Sequence, residues 1–326
     1  MRPNLPFAAA ALAVSLLIYW GVTEDVRLPW QGRTRFETEF PGCVAGIASG
    51  DYASLKLPTG FYNFYLAWGD NFPAKETAGL RSGGILVITW EPYLKAEPGR
   101  SLLGEIAAGK YDAYMASMAE ALNKYGRPVM LRWGHEPNGD WYAWSGAKNG
   151  KSAEMYILAW RQMARVMRSK NGNRLKLVFS VNGQDTPGGS WNRFENYYPG
   201  TEYADAVGLD LYNWGNSRKW SSWRRPQELL KDPYGRALVM APDKPLFLTE
   251  VASCADGGVK AAWLKKLLRR LETRYTAVKG FMWFDYEKEC DWRISADPPS
   301  AGIYAGAAAA GYFQADGKRL NWFFGE

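Results

Sequence analysis

The sequence predicts a (β/α)8 barrel. Eight short runs, nearly continuous in apolar residues, read as strands buried on both faces, the pattern of parallel strands covered by helices. Amphipathic helical patterns lie between several of them, and no linker or internal repeat divides the body of the 326-residue chain. A doubly wound open sheet is the structural alternative. It would usually carry a glycine-rich phosphate loop after its first strand, and GIASGDY at 46–52 lacks the G-x-G-x-x-G spacing.

The strand runs follow in order. VAGIA (44–48), NFYLAW (63–68), GILVITW (84–90) and PVMLRW (128–133) come first. LKLVFSV (175–181), AVGLDLY (206–212), PLFLTE (245–250) and KGFMWF (279–284) complete the eight. Ser152 can cap a helix in which Leu158, Met163 and Met167 recur near helical spacing. Leu264, Leu267, Leu268, Leu271 and Tyr275 form a second apolar stripe, with Lys265, Lys266, Arg269 and Arg270 on its polar side.

The first residues are of another kind. Arg2 precedes LPFAAAALAVSLLIYWGV (5–22), a stretch without charge near the lower limit for spanning a bilayer. The exit, YWGVTED, offers no convincing A-x-A cleavage site. An uncleaved membrane anchor is the expectation for residues 1–22, with a cleaved signal peptide as the alternative. Residues 23–40 read as a polar stalk, and 41–326 as the barrel. With Arg2 kept in the cytoplasm, the body would be exported. It would lie on the periplasmic side of a bacterial inner membrane, or be secreted.

Net charge is +7, but Lys and Arg are scattered among acids. No zinc finger, RNP motif or long basic run is present, so nucleic acid is not an expected partner. The 16 tryptophans and 19 tyrosines exceed what a core ordinarily needs; flat rings beside polar groups suit the C–H faces of sugars. The three cysteines form no zinc pattern, and one histidine among dispersed acids gives no metal site. No cofactor is implied, and a monomer is expected.

In a barrel of this kind the chemistry sits at the C-terminal ends of the strands. Strand four ends in Arg132 and leads to His135, the only histidine of the chain, and to Glu136. Strand seven ends in Glu250. The ends of strands four and seven can face each other across the barrel mouth. Two opposed carboxyls are what glycoside hydrolysis requires: one protonated to release the leaving group, the other ionised to attack or to activate water.

At these residues the sequence resembles glycoside hydrolase family 26. The family pattern around its acid/base runs approximately R-x-x-H-E-M-N-G-x-W-x-x-W. Arg132, His135, Glu136, Asn138, Gly139, Trp141 and Trp144 match it, and Pro137 replaces the usual methionine. Thr249–Glu250 matches the nucleophile region more loosely. TWEP (89–92), GLDLYNWG (208–215) and MWFDYEKECDWRI (282–294) extend the resemblance over most of residues 43 to 294.

The resemblance implies roles. Glu136 would be the general acid and then the general base; Glu250 would be the nucleophile that forms a covalent glycosyl-enzyme. Tyr212 resembles the tyrosine that hydrogen-bonds the nucleophile. His135 would bond near the nucleophile or the sugar, beside Arg132. Trp283 resembles the platform beneath the −1 sugar, Trp141 would line the same pocket, and Trp90, Trp144 and Trp214 would extend the cleft. The expected partner is a β-linked polysaccharide. The family includes β-1,4-mannanases, mixed-linkage glucanases and β-1,3-xylanases. W-E-P after strand three looks more like the glucanase-type branch, hence β-1,3-1,4-glucan; a membrane-anchored enzyme also points to a related bacterial exopolysaccharide, and β-1,4-mannan is the alternative. A transglycosylase using the same glutamates, or a non-catalytic glycan-binding protein on this scaffold, are the other readings.

Cys254 falls in the loop after strand seven and Cys290 in the loop after strand eight, which neighbouring barrel strands place side by side. An exported domain can keep a disulfide. A Cys254–Cys290 bridge is expected, with Cys43 free; three reduced thiols are the alternative.

Overall fold

The structure is a computed structural model that describes residues 34–171, 174–309 and 311–325. The apolar segment at 5–22 and the stalk up to residue 33 lie outside the described residues. Among the described residues, no helix is long and apolar enough to cross a membrane.

All eight strands form where the apolar runs place them: β1 (Cys43–Ala48), β2 (Phe61–Trp68), β3 (Ile85–Leu94), β4 (Val129–Trp133), β5 (Leu175–Asn182), β6 (Ala206–Asn213), β7 (Leu246–Ser253) and β8 (Val278–Phe284). They pair in parallel, in the order β2-β3-β4-β5-β6-β7-β8-β1. Gly60 N donates to Ala45 O at 2.9 Å, tying the entry of β2 back to β1. A two-residue strand, β9 (Phe313–Gln314), runs along the start of β1. The result is a (β/α)8 barrel.

Helices cover the outer face of the sheet. The helix Glu154–Lys170 starts where Ser152 Oγ accepts from Glu154 N at 3.2 Å. It buries Tyr156, Trp160, Met163 and Met167, whereas Leu158, expected on that stripe, is 43% exposed. In the helix Lys260–Thr273 the leucine stripe is buried as expected, and Lys265, Lys266 and Arg269 face solvent.

Strand parity sorts the interior into layers. Alternate residues point into the barrel: Val44, Phe61, Ile85, Val87, Met130, Val178, Ala206, Phe247 and Met282 form its apolar lower core. Phe61 fits because β1 and β8 carry glycine beside it. A Cβ on Gly46 or Gly280 would come within 2.6 or 2.7 Å of its ring. Leu320, Phe323 and Phe324 close the floor of this cluster.

Part of the expected stalk belongs to the barrel. Residues 35–38 form a helical turn, Phe36 is buried, and Phe40 stacks on Trp322 at 4.1 Å. Lys279 Nζ donates to Phe40 O at 2.6 Å. The polar composition of 23–40 hid two phenylalanines whose natural place is the barrel floor. Cys43 is free and buried there, and burial pushes its thiol up to about 12, leaving it inert as a nucleophile.

Candidate active site

Above the apolar layer the inward positions turn polar. Asn63, Thr89, Arg132, Ser180, Asp210 and Thr249 are all buried. Arg132 is the hub. Its Nε donates to Ser180 Oγ at 2.9 Å, its Nη1 to Glu250 Oε1 at 2.6 Å, and its Nη2 to Asp210. Thr249 Oγ1 donates to Asp210 Oδ1 at 2.7 Å. Gly208 leaves the room: a Cβ there would lie 2.6 Å from Thr249 Oγ1 and 2.9 Å from Ser180 Oγ.

Simple alternation would send Glu250 outward, because Phe247 and Thr249 already point in. A register shift in β7 prevents this. Leu209 pairs with Leu248 but Asp210 with Glu250, so Thr249 is the extra residue of a bulge. Two successive side chains thereby enter the barrel, one into the polar layer and one into the mouth. Three donors converge on Glu250: Arg132, Tyr65 OH at 2.7 Å, and Tyr212 OH. Burial, then the charge of Glu250, raises both phenols well above their ordinary range, so they remain protonated donors.

Glu136 sits beyond the end of β4 in a left-handed conformation, with φ 52°. A non-glycine residue there costs on the order of 1–2 kcal/mol. The turn is held from both sides: Glu136 N donates to Ser180 O at 2.9 Å, and Gly139 N to Glu136 O at 3.0 Å. The N-G-x-W phrase follows from this geometry. Asn138 exchanges bonds with the backbone of Asn182, whose Nδ2 donates to Glu136 Oε1 at 2.8 Å. Gly139 lets Trp141 fold back, since a Cβ there would lie 2.5 Å from the indole ring. Trp141 Nε1 then donates to Glu136 Oε2 at 2.9 Å. Burial, reinforced by the charges of Asp210 and Glu250, holds the Glu136 carboxyl well above the carboxylate range. The mouth therefore carries one carboxyl pushed toward its protonated form and one steadied by three donors.

The other expected contacts divide. Tyr212 and Trp141 reach the mouth, and Trp141 is 45% exposed. Trp214 is half-buried, edge-on to Trp292 at 4.9 Å, at the rim. Trp283 does not form a sugar platform: Gly280, Met282 and Phe284 take the inward positions of β8, and Trp283 packs outward against Trp263 at 6.0 Å. Phe284, next to Tyr212 at 5.6 Å, faces the mouth instead. Trp90 also points outward, stacked on Trp68 at 4.5 Å. Trp144 is buried, donating to His135 O at 2.7 Å beneath Tyr142. Arg132 and His135 are fully buried beneath the mouth, and Arg132 donates directly to Glu250. His135 Nε2 pairs with Tyr142 OH at 2.9 Å, and burial, aided by Arg132, keeps the imidazole neutral. Tyr65 and Asn182, each bonded to one of the glutamates, were not singled out from sequence. Both are polar residues at inward positions near strand ends, which parity would have marked.

Cys254 and Cys290 form a disulfide, their Cα atoms 6.0 Å apart, joining the loops after β7 and β8. Asp256 brings a third potential metal ligand beside the two sulfurs, which are already bonded to each other.

Comparison with known proteins fits this geometry. The sequence profile described as Glycosyl hydrolase family 26 matches residues 99–234. Endoglucanase H of Acetivibrio thermocellus is 35% identical over 233 residues, 71% of this chain and 25% of that protein. A β-1,3-xylanase of an Alcaligenes species is 24% identical over 268 residues, 76% of this chain and 55% of that protein. The chain thus spans from about a quarter to about half the length of these curated relatives. Among solved structures, a family 26 β-mannanase from Bacteroides ovatus superposes with a TM-score of 0.63 at 18% identity, over 86% of this chain and 92% of that one. On the profile match, the relatives and the shared barrel, the chain belongs to glycosyl hydrolase family 26.

Proposed function

We propose that the protein is a retaining endo-β-glycanase. The observation that carries the reading is the asymmetry of two carboxyls at one barrel mouth. Glu136 keeps its proton and gives it to the glycosidic oxygen as the bond to the anomeric carbon breaks. Glu250, aimed by Tyr65, Tyr212 and Arg132, attacks that carbon and forms a glycosyl ester. Glu136, now a carboxylate, takes a proton from water; the water oxygen attacks the same carbon and releases Glu250. Two inversions give retention.

The substrate we propose is β-1,3-1,4-glucan or a related bacterial exopolysaccharide. Support comes from the W-E-P phrase at the end of β3 and from similarity to a protein named an endoglucanase. A panel of lichenan, barley β-glucan, galactomannan, glucomannan and β-1,3-xylan tests it, with linkages of the products determined. Turnover of mannan or xylan alone would replace the glucan reading. NMR of the first-formed product is expected to show the β-anomer; an initial α-anomer would remove the double displacement.

We also propose that residues 5–22 anchor the catalytic barrel on the exported side of the membrane. The uncharged run behind Arg2 supports this. Cell fractionation is expected to find the native protein in membranes, and native protein beginning well after residue 20 would show a cleaved signal instead.

A further inference from the structure

Three acids at the barrel mouth, Glu250, Glu136 and Asp210, each have donors within the protein. Glu250 has Tyr65, Tyr212 and Arg132; Glu136 has Trp141 and Asn182; Asp210 has Arg132 and Thr249. At the rim, Asp285 accepts from Ile294 N at 2.6 Å and Ser295 Oγ at 2.5 Å, and Asp70 from Lys95 Nζ at 2.6 Å. Glu91 differs. It follows Ile85, Val87 and Thr89 on the inward face of β3, it is half-buried, and its carboxyl makes no hydrogen bond or ion pair among the described residues. Burial pushes it up to about 7.

The charges acting on Glu91 are those of Arg132, Glu250, Lys288 and Asp70. Arg132 is committed to Ser180, Asp210 and Glu250, and Asp70 to Lys95. Lys288 is exposed in the loop after β8, with its ammonium 5.5 Å from the ring centre of Phe284 and 5.8 Å from that of Tyr286. Glu91 lies near the C-terminal end of β3, beside β4, which leads to Glu136, and its charge also acts on Tyr142. Half-buried carboxyls without a partner are rare, because desolvation is then uncompensated.

We propose that Glu91 is a sugar-binding carboxylate that receives hydroxyl groups of a glycan unit bound in the cleft. The inference rests on the glycanase reading. Adjacent equatorial or axial–equatorial hydroxyls present two donors to the two oxygens of one carboxylate, and such charge-assisted bonds are the strong ones.

The test is steady-state kinetics of full-length Glu91→Ala and Glu91→Gln on the best substrate of the panel, alongside calorimetric melting. Alanine is expected to raise KM by about 10- to 100-fold, the scale of a lost hydrogen bond to a charged group, with a smaller change in kcat. Glutamine is expected to retain part of the affinity. Neither variant should melt below wild type, since Glu91 has no protein partner to lose. An unchanged KM overturns the proposal. So does a fall in kcat at constant KM, or a loss of activity that tracks a lowered Tm. If wild type turns over no glycan in the panel, the glycanase reading itself fails, a result distinct from an active enzyme indifferent to residue 91.

Discussion

Glu250→Ala is expected to abolish polysaccharide turnover, lowering kcat by about 10^5- to 10^6-fold, the scale on which enzymes lose activity with their nucleophile. The side chains aimed at the position it vacates, Tyr65, Tyr212 and Arg132, are donors and do not supply a nucleophilic carboxylate. Glu136→Ala is expected to behave differently. On polysaccharide it should lose about 10^2- to 10^4-fold, but dinitrophenyl glycosides, whose leaving group needs no proton, should still form the glycosyl-enzyme. Azide separates the two positions by stereochemistry. It enters the space left by Glu250 and gives an α-glycosyl azide; in the Glu136 variant it attacks the ester from the opposite face and gives the β-azide. The reverse pattern would exchange the two roles. The pH profile carries the same information. Glu136 acts protonated, so kcat/KM of wild type on polysaccharide falls as pH rises through its raised pKa. With dinitrophenyl substrates the Glu136→Ala variant should lack that alkaline limb in its first step.

Arg132→Met is expected to destabilise the fold by about 3–5 kcal/mol, the effect of removing one partner from a buried charge cluster. Two carboxyls depend on that guanidinium. Burial already outweighs its pull on Asp210 and pushes that acid up. Without Arg132, Asp210 must take a proton or remain as an uncompensated charge in the polar layer. Adding Asp210→Asn should therefore return much of the lost stability, because the second change removes the charge the first exposed. The double-mutant cycle should be strongly non-additive. Activity should stay low in both variants, since Glu250 lacks its Arg132 donor in each. Thermal melts of the four proteins decide the matter: additive losses would mean that Arg132 and Asp210 stabilise the barrel independently.

The barrel was legible because parallel strands sheltered on both faces leave unbroken apolar runs, and every run became a strand. The glutamate pair was legible because the chemistry of the fold gathers at strand ends. Finer placement failed where it depended on parity. Trp283 and Trp90 sit on strands that reach the mouth, but an odd or even step decides whether a ring meets sugar or helix. By the same count Phe284 and Glu91 face inward. The bulge that turns Glu250 into the mouth leaves no mark in FLTEVAS beyond the residues themselves. Nor does composition show that Phe36 and Phe40 belong under the barrel, since polar neighbours surround them. The Cys254–Cys290 pairing needed only the adjacency of two loops, which the strand order supplies.

The left-handed backbone at Glu136 bears on laboratory evolution. Heat resistance and turnover pull this position in opposite directions. Glycine or asparagine would relax the backbone. Any neutral residue would also end the cost of a buried acid whose folded pKa exceeds the unfolded value of about 4.3. That acid's contribution is fully present below the unfolded value and is lost as pH rises through the raised one, so the gain from replacing it grows toward alkaline pH. A library screened only for survival of heating at pH 8 would therefore enrich chains that fold best and cut nothing. Selection for a robust catalyst has to score heated cells on substrate, with residue 136 held fixed.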